Sequence, residues 1–100
     1  MVIEWLRIQV PPEEREQYIQ ADAEIWTPFL AAQPGFLNKE VWIAPDRPDQ
    51  VMMVIRWASM DLWQSIPREQ LQAIDLRFTA ALGRTYDIVE SIAYQVRKFS

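Results

Sequence analysis

The chain has no cysteine and no histidine among its 100 residues. The first absence excludes disulfides, thiolate nucleophiles and cysteine-ligated metals or clusters. The second removes the usual imidazole base, zinc ligand and proximal haem ligand. Any chemistry therefore rests on carboxylates, amides, hydroxyls, indoles, Lys, Arg or backbone, and no cofactor or metal is called for. Gly35 and Gly83 are the only glycines, so a glycine-rich phosphate loop is absent too. No apolar run approaches the roughly 18 residues of a membrane span, and Met1-Val2-Ile3 runs at once into Glu4 and Arg7, unlike a signal peptide. A cytoplasmic protein with no membrane partner is expected. Blocks of one charge are also missing. Ten Lys and Arg against 14 Asp and Glu leave a net charge of -4, which opposes binding to a phosphate backbone.

What is present is a large apolar load. Half of the residues are apolar and five are tryptophan, in a chain long enough for one domain spanning residues 1–100 and one core. A sheet of this composition with one face in water needs cover, and a second copy of the chain is the natural one.

Residues 2–10 alternate, with Val2, Leu6, Ile8 and Val10 on one face and Ile3, Trp5, Arg7 and Gln9 on the other, as a strand does. Pro11-Pro12 stops the ladder, and Pro12 with Glu13, Glu14 and Glu16 starts a helix expected to reach about residue 32. Its stripe holds Tyr18, Ile19, Ile25, Trp26, Phe29 and Leu30, and Pro28 predicts a kink or a restart capped by Thr27. After the Gln33-Pro34-Gly35 turn, residues 36–44 alternate as a second strand, with Phe36, Asn38, Glu40 and Trp42 on one face. Residues 45–49 read as a polar loop in a long-looped hairpin, and residues 51–57 as the third strand. Ser59 caps a second helical region that Pro67 divides and Gly83 ends. The last strand is expected over about 86–99.

This β-α-β-β-α-β order predicts an α+β, ferredoxin-like fold, a four-stranded antiparallel sheet with both helices on one face. The first and third strands take the centre, since they carry apolar residues on both faces.

Val2 to Val10, Asp22-Ala23-Glu24-Ile25-Trp26-Thr27-Pro28, Pro34-Gly35-Phe36-Leu37, Lys39-Glu40-Val41-Trp42 and Arg56-Trp57 together resemble the antibiotic-biosynthesis-monooxygenase-like group of dimeric α/β barrels. Within that group they look like a family of small proteins found largely in cyanobacteria. The resemblance covers nearly the whole chain. It implies a homodimer with sheets packed face to face and a small-molecule cleft in each subunit between sheet and helices. Activities in the group include cofactor-independent oxygenation of aromatic polyketides, haem degradation and isomerisation of small acids, among which fold does not choose. The haem-degrading pattern fails here. Trp57 matches its tryptophan, but Ser65-Ile66-Pro67 stands in place of its histidine and the first strand has no asparagine.

Asp22 is the first candidate for chemistry, because it falls in the stripe of Tyr18, Ile25, Trp26 and Phe29. A desolvated carboxylate there becomes a proton-transfer group near neutral pH. The alternative is a structural Asp paired with an Arg or a backbone group. No Lys or Arg follows within one turn, so a cleft-facing Asp22 is expected to tolerate Asp22→Asn without loss of stability. Tyr18, Trp26, Trp57 and Trp63 form a candidate aromatic slot for a planar ligand, against the plainer reading of core filling. Asn38 is the second catalytic candidate, as a donor to a ligand carbonyl. Trp5, Arg7, Glu40, Trp42 and Arg56 share the remaining sheet face, which reads best as a homodimer interface and otherwise as an anion-binding cluster.

Two functions follow. One is a cofactor-independent, monooxygenase-like enzyme on a small aromatic or conjugated substrate; the other is a non-catalytic ligand-binding or assembly protein of the same fold. The RNA-recognition fold shares the element order, but its aromatic signature is absent and the charge is wrong.

Overall fold

The structure, a computed structural model, describes residues 1–99. Its elements are β1 (Val2–Gln9), a 3-10 turn at Pro12–Glu14, α1 (Arg15–Ala31), β2 (Phe36–Ala44), β3 (Arg47–Trp57), α2 (Met60–Gln64), α3 (Arg68–Leu82) and β4 (Ile88–Gln95). All strand pairs are antiparallel in the order β2-β3-β1-β4. The two strands with apolar residues on both faces are therefore the central ones, and the helices lie on one face. Ile8, Val51, Met53, Ile55 and Trp57 from the sheet meet Tyr18, Ile25 and Leu30 of α1 and Phe78 of α3 in a single core.

Several boundaries differ from expectation. Pro28 neither ends nor restarts α1, which runs unbroken past it; Thr27, free of capping duty, accepts a hydrogen bond from Lys39 Nζ at 3.0 Å. The first turn is 3-10 because Pro11 and Pro12 leave no early amide to donate; Glu14 N–H closes on Pro11 O. The β2–β3 hairpin is tight, since Ala44 already pairs with Arg47. The last strand is shorter than expected at both ends. A register shift between Arg7 and Ile8 brings Ile88 opposite Ile8, and beyond Gln95, which pairs with Val2, β1 offers only the Met1 carbonyl.

A bulge in β2 matters most for function. Phe36 pairs with Trp57 while Asn38 pairs with Arg56, so Leu37 is the extra residue. Phe36 is thereby turned to the helix-covered face, where it meets the Trp57 ring edge-on at 5.8 Å. Strict alternation places it with Asn38, Glu40 and Trp42; the bulge separates it from them. Lys39, opposite Ile55, stays on the inner face.

Two glycines close turns with positive φ, Gly35 at 86° and Gly83 at 77°. A Cβ at Gly83 meets nothing within 4 Å, whereas one at Gly35 falls 2.6 Å from Leu62 Cβ on α2. Gly83→Ala is expected to cost about 1 kcal/mol from backbone strain alone. Gly35→Ala should cost about 1–3 kcal/mol more, because α2 must shift as well. Equal midpoints for the two variants in urea unfolding would contradict the close approach.

Candidate functional site

Between the inner face of the sheet and the helices lies a cavity of about 570 Å3, within the size range of small-molecule sites. Leu6, Ile8, Met53 and Ile55 form its floor; Tyr18, Asp22, Trp26 and Leu30 of α1 and Leu71, Phe78 and Thr79 of α3 form its walls. Trp63 and Ile66, from α2 and the bend after it, close one side, and Arg68, Asp75, Arg84 and Tyr86 are also in the lining.

Three charged side chains enter this mainly apolar space from the sheet and α1. Asp22, on the buried stripe as expected, is 4 % exposed. Its partner comes from a distant strand. Lys39 Nζ donates to Asp22 Oδ2 at 2.6 Å and to Thr27 Oγ1 at 3.0 Å, with the lysine side chain itself 4 % exposed. Burial pushes the Asp22 carboxyl above its ordinary value, opposed by the charge and hydrogen bond of Lys39. No Lys or Arg follows Asp22 within one turn, but a lysine from another strand reaches it, so Asp22→Asn strands a buried ammonium and is now expected to lower stability rather than be tolerated.

Glu4 is the third charge. It occupies the inner register of β1 and accepts a hydrogen bond from Trp57 Nε1 at 3.2 Å. Burial raises its carboxyl, against smaller lowering effects from Trp57 and Lys39. Tyr18, flanked edge-on by Phe78 and Tyr86, is raised by burial and by the Asp22 and Asp75 charges. It stays a neutral phenol at physiological pH.

An acid whose value is raised by folding binds more protons folded than unfolded, so its contribution falls as pH rises through the folded value. Glu4→Gln, which keeps an acceptor for Trp57, should therefore melt above the parent at pH 8. The difference should vanish below about pH 4, where both states of the parent are protonated. A Glu4→Gln variant less stable than the parent at pH 8 would show the carboxylate to be a stabilising charge.

Tyr18, Asp22, Trp26 and Trp63 are brought together around the cavity. Trp57 and Asn38 are not. Trp57 is fully buried in the core behind Glu4 and touches the site only through its indole N–H. Asn38 lies on the opposite face, in register with Glu40 and Trp42, and its Oδ1 accepts from Arg56 at 3.2 Å. Glu40 pairs with the same guanidinium at 2.7 Å, which holds its carboxyl below the usual range. On that outer face Arg7 pairs with Glu90 at 3.0 Å, and Trp42 and Tyr94 are 45 % and 49 % exposed. Trp5 shares the face, opposite Val54.

Glu4 and Lys39 were legible in principle. Each is a charged residue in the register that otherwise carries the core side of its strand, Glu4 between Val2 and Leu6 and Lys39 before Val41. A charge in that register is either an error of phase or a group facing a cavity.

The protein-family model for antibiotic biosynthesis monooxygenase matches residues 1–73. The chain belongs to that family. Among solved structures of this fold, Streptomyces nogalater SnoaB, a cofactor-independent oxygenase, is similar at 22 % identity and a TM-score of 0.65, over 98 % of this chain and 94 % of its own. A candidate antibiotic biosynthesis monooxygenase from Deinococcus radiodurans is similar at 18 % identity and a TM-score of 0.73, over 100 % and 96 %. One from Bordetella bronchiseptica reaches a TM-score of 0.74 at 14 % identity, over 95 % of both chains. At these identities the likeness shows the monooxygenase-family fold. Among curated proteins none matches. No helix among the described residues is long and apolar enough to cross a membrane.

Proposed function

We propose that the protein binds a small aromatic or conjugated carbonyl compound in the cavity between sheet and helices and oxygenates it without a bound cofactor. The observation that carries this reading is the buried Lys39–Asp22 pair in an aromatic wall. Ground-state dioxygen is a triplet and reacts slowly with closed-shell molecules, but an electron-rich enolate or phenolate can hand it an electron. A site for such chemistry needs aromatic surface to hold the ring and a fixed positive charge to favour the anion. Trp26, Trp63 and Tyr18 offer the first. Lys39, held in place by Asp22 and Thr27, offers the second. A methylene beside a carbonyl or ring reacts with one dioxygen to give a new carbonyl and one water, so the substrate supplies all the electrons and no outside reductant is needed. The printed description of SnoaB as a cofactor-independent oxygenase supports the same class, and the quoted Asp22–Pro28 and Lys39–Trp42 segments support the small cyanobacterial branch.

Anthrone, planar with an acidic methylene, is a suitable probe. Oxygen uptake should exceed the spontaneous rate in metal-free buffer, with one anthraquinone formed per dioxygen consumed. Binding with uptake at the background rate would instead favour a ligand-binding protein, a reading supported by the fact that the Asp22 carboxylate is already engaged by Lys39.

A second copy of the chain is proposed as the cover of the outer sheet face. The exposed Trp42 and Tyr94 support this, as does the ordered Asn38–Arg56–Glu40 cluster beside them. A rim of paired charges around aromatic surface is the composition of an interface. Sedimentation at micromolar concentration is expected to show one species of twice the chain mass, and a stable monomer would remove this assignment.

A further inference from the structure

We propose that Glu4 is the catalytic residue that takes the proton from carbon, and that Lys39 donates to the carbonyl oxygen receiving the electron pair. This rests on reading the cavity as a site for a conjugated carbonyl compound, and it adds the groups that would generate the anion. The register places the two residues together. Glu4 on β1 and Lys39 on β2 both pair with Ile55 of β3, so their backbones stand two strands apart, about 10 Å, with both side chains in the cavity lining.

Their free valences point to the same division of labour. Glu4 Oε1 is held by the Trp57 indole, and its carboxylate makes no other hydrogen bond among the described residues. Among the described residues no fully buried side-chain oxygen or nitrogen lacks a partner, so the unbonded Oε2 keeps contact with open space, which the cavity provides. Asp22 is different, since it is clamped to an ammonium at 2.6 Å. An ammonium has three N–H donors; Asp22 and Thr27 occupy two, and one remains for a ligand oxygen. In the step, the C–H bond beside the carbonyl breaks and an O–H bond forms on Oε2. The electron pair moves onto the carbonyl oxygen, where Lys39 meets the charge. The neutral phenol of Tyr18 borders the same space as a further donor.

The titratable and charged groups that share the lining with Glu4 are Lys39 from β2, Asp22 and Tyr18 from α1, and Arg68 and Asp75 from α3, with Arg84 and Tyr86 in the segment before β4. Lys39 is the one whose charge lowers the Glu4 carboxyl; burial outweighs it. The resulting base is stronger than a carboxylate in water.

The test is proton exchange alone, without oxygen. 2-Tetralone carries a methylene between a carbonyl and a ring, and its deuterium uptake in heavy water is followed by NMR under anaerobic conditions. Binding is followed by quenching of tryptophan fluorescence. The wild type should exchange the probe well above the buffer rate. Glu4→Gln should lose about 100-fold or more of kcat/KM, with melting temperature at or above the parent and affinity within about twofold, the mark of a group acting in the step alone. The acid limb of the wild-type pH profile should lie above the ordinary carboxylate range. It should move higher in Trp57→Phe, since the lost N–H favoured the charged form. Undiminished exchange in Glu4→Gln, or an acid limb unmoved in Trp57→Phe, overturns the assignment. A wild type that binds 2-tetralone without exchanging it overturns the assignment while leaving the cavity a binding site. Failure to bind overturns the reading of the cavity itself.

Discussion

Lys39→Met is expected to cost about 3–5 kcal/mol at pH 7, because it leaves the Asp22 carboxylate buried without its cation. The cost has a defined pH dependence. Without the two lowering influences of Lys39, the folded-state value of Asp22 rises further above its unfolded value. The variant therefore recovers as pH falls through the raised folded value, and the penalty shrinks steadily toward about pH 4, where the unfolded aspartate begins to be protonated too. The double variant Asp22→Leu/Lys39→Met removes both charges and should lie within about 1 kcal/mol of the parent, since an apolar pair of similar volume replaces a costly buried ion pair. Urea unfolding of the three proteins from pH 4 to 8 measures this. A Lys39→Met variant that loses under 1 kcal/mol at every pH would mean that the pair is open to water.

Trp57→Ala is the second large effect, expected at about 3–5 kcal/mol. Trp57 has no exposed surface, packs edge-on against Phe36 and supplies the donor for Glu4. Truncation leaves a hole in the core and an unpartnered carboxylate beside it. Trp57→Phe keeps most of the volume and should cost far less. A similar loss in the two variants would assign the cost to the hydrogen bond, and a loss near zero in both would contradict the core placement. As a ligand-slot residue, Trp57 would show the opposite pattern, with little effect on stability and a strong effect on binding.

The contrast between Trp57 and Asp22 shows what the sequence carries and what it does not. Periodicity decides which face of an element a side chain takes, and on that basis Asp22 belongs to the buried stripe of α1. The same signal makes β1 and β3 central, because only they are apolar on both faces. Capping chemistry is local and so equally readable: Ser59 Oγ does accept from Leu62 N–H at 3.2 Å, and Gly83 does end α3 in the left-handed conformation. The Asp22 partner is not readable that way. Lys39 lies 17 residues away on another element, and only the three-dimensional register brings its ammonium to the helix. The bulge at Leu37 defeats alternation for a different reason. One inserted residue reverses the phase of everything before it, so Phe36 turns inward while Asn38 stays on the outer face with Glu40 and Trp42. Glu4 escapes notice because a strand with Val2, Leu6, Ile8 and Val10 in one register invites the neglect of its single carboxylate. In a strand whose inner face borders a cavity, that odd residue is the informative one.

Whether the cavity between sheet and helices holds a ligand is tested directly by blocking its floor. Leu6 lines the cavity from the middle of the sheet and is only partly buried, so Leu6→Trp places an indole in space already open. Calorimetric titration with 2-naphthol, a planar aromatic with one hydroxyl, should give saturable binding of one molecule per chain to the wild type. In Leu6→Trp the affinity should fall at least about tenfold, a change of about 1.4 kcal/mol, while the melting temperature is held or raised. Unchanged affinity in a folded Leu6→Trp variant would place the ligand elsewhere and contradict the cavity as the binding site.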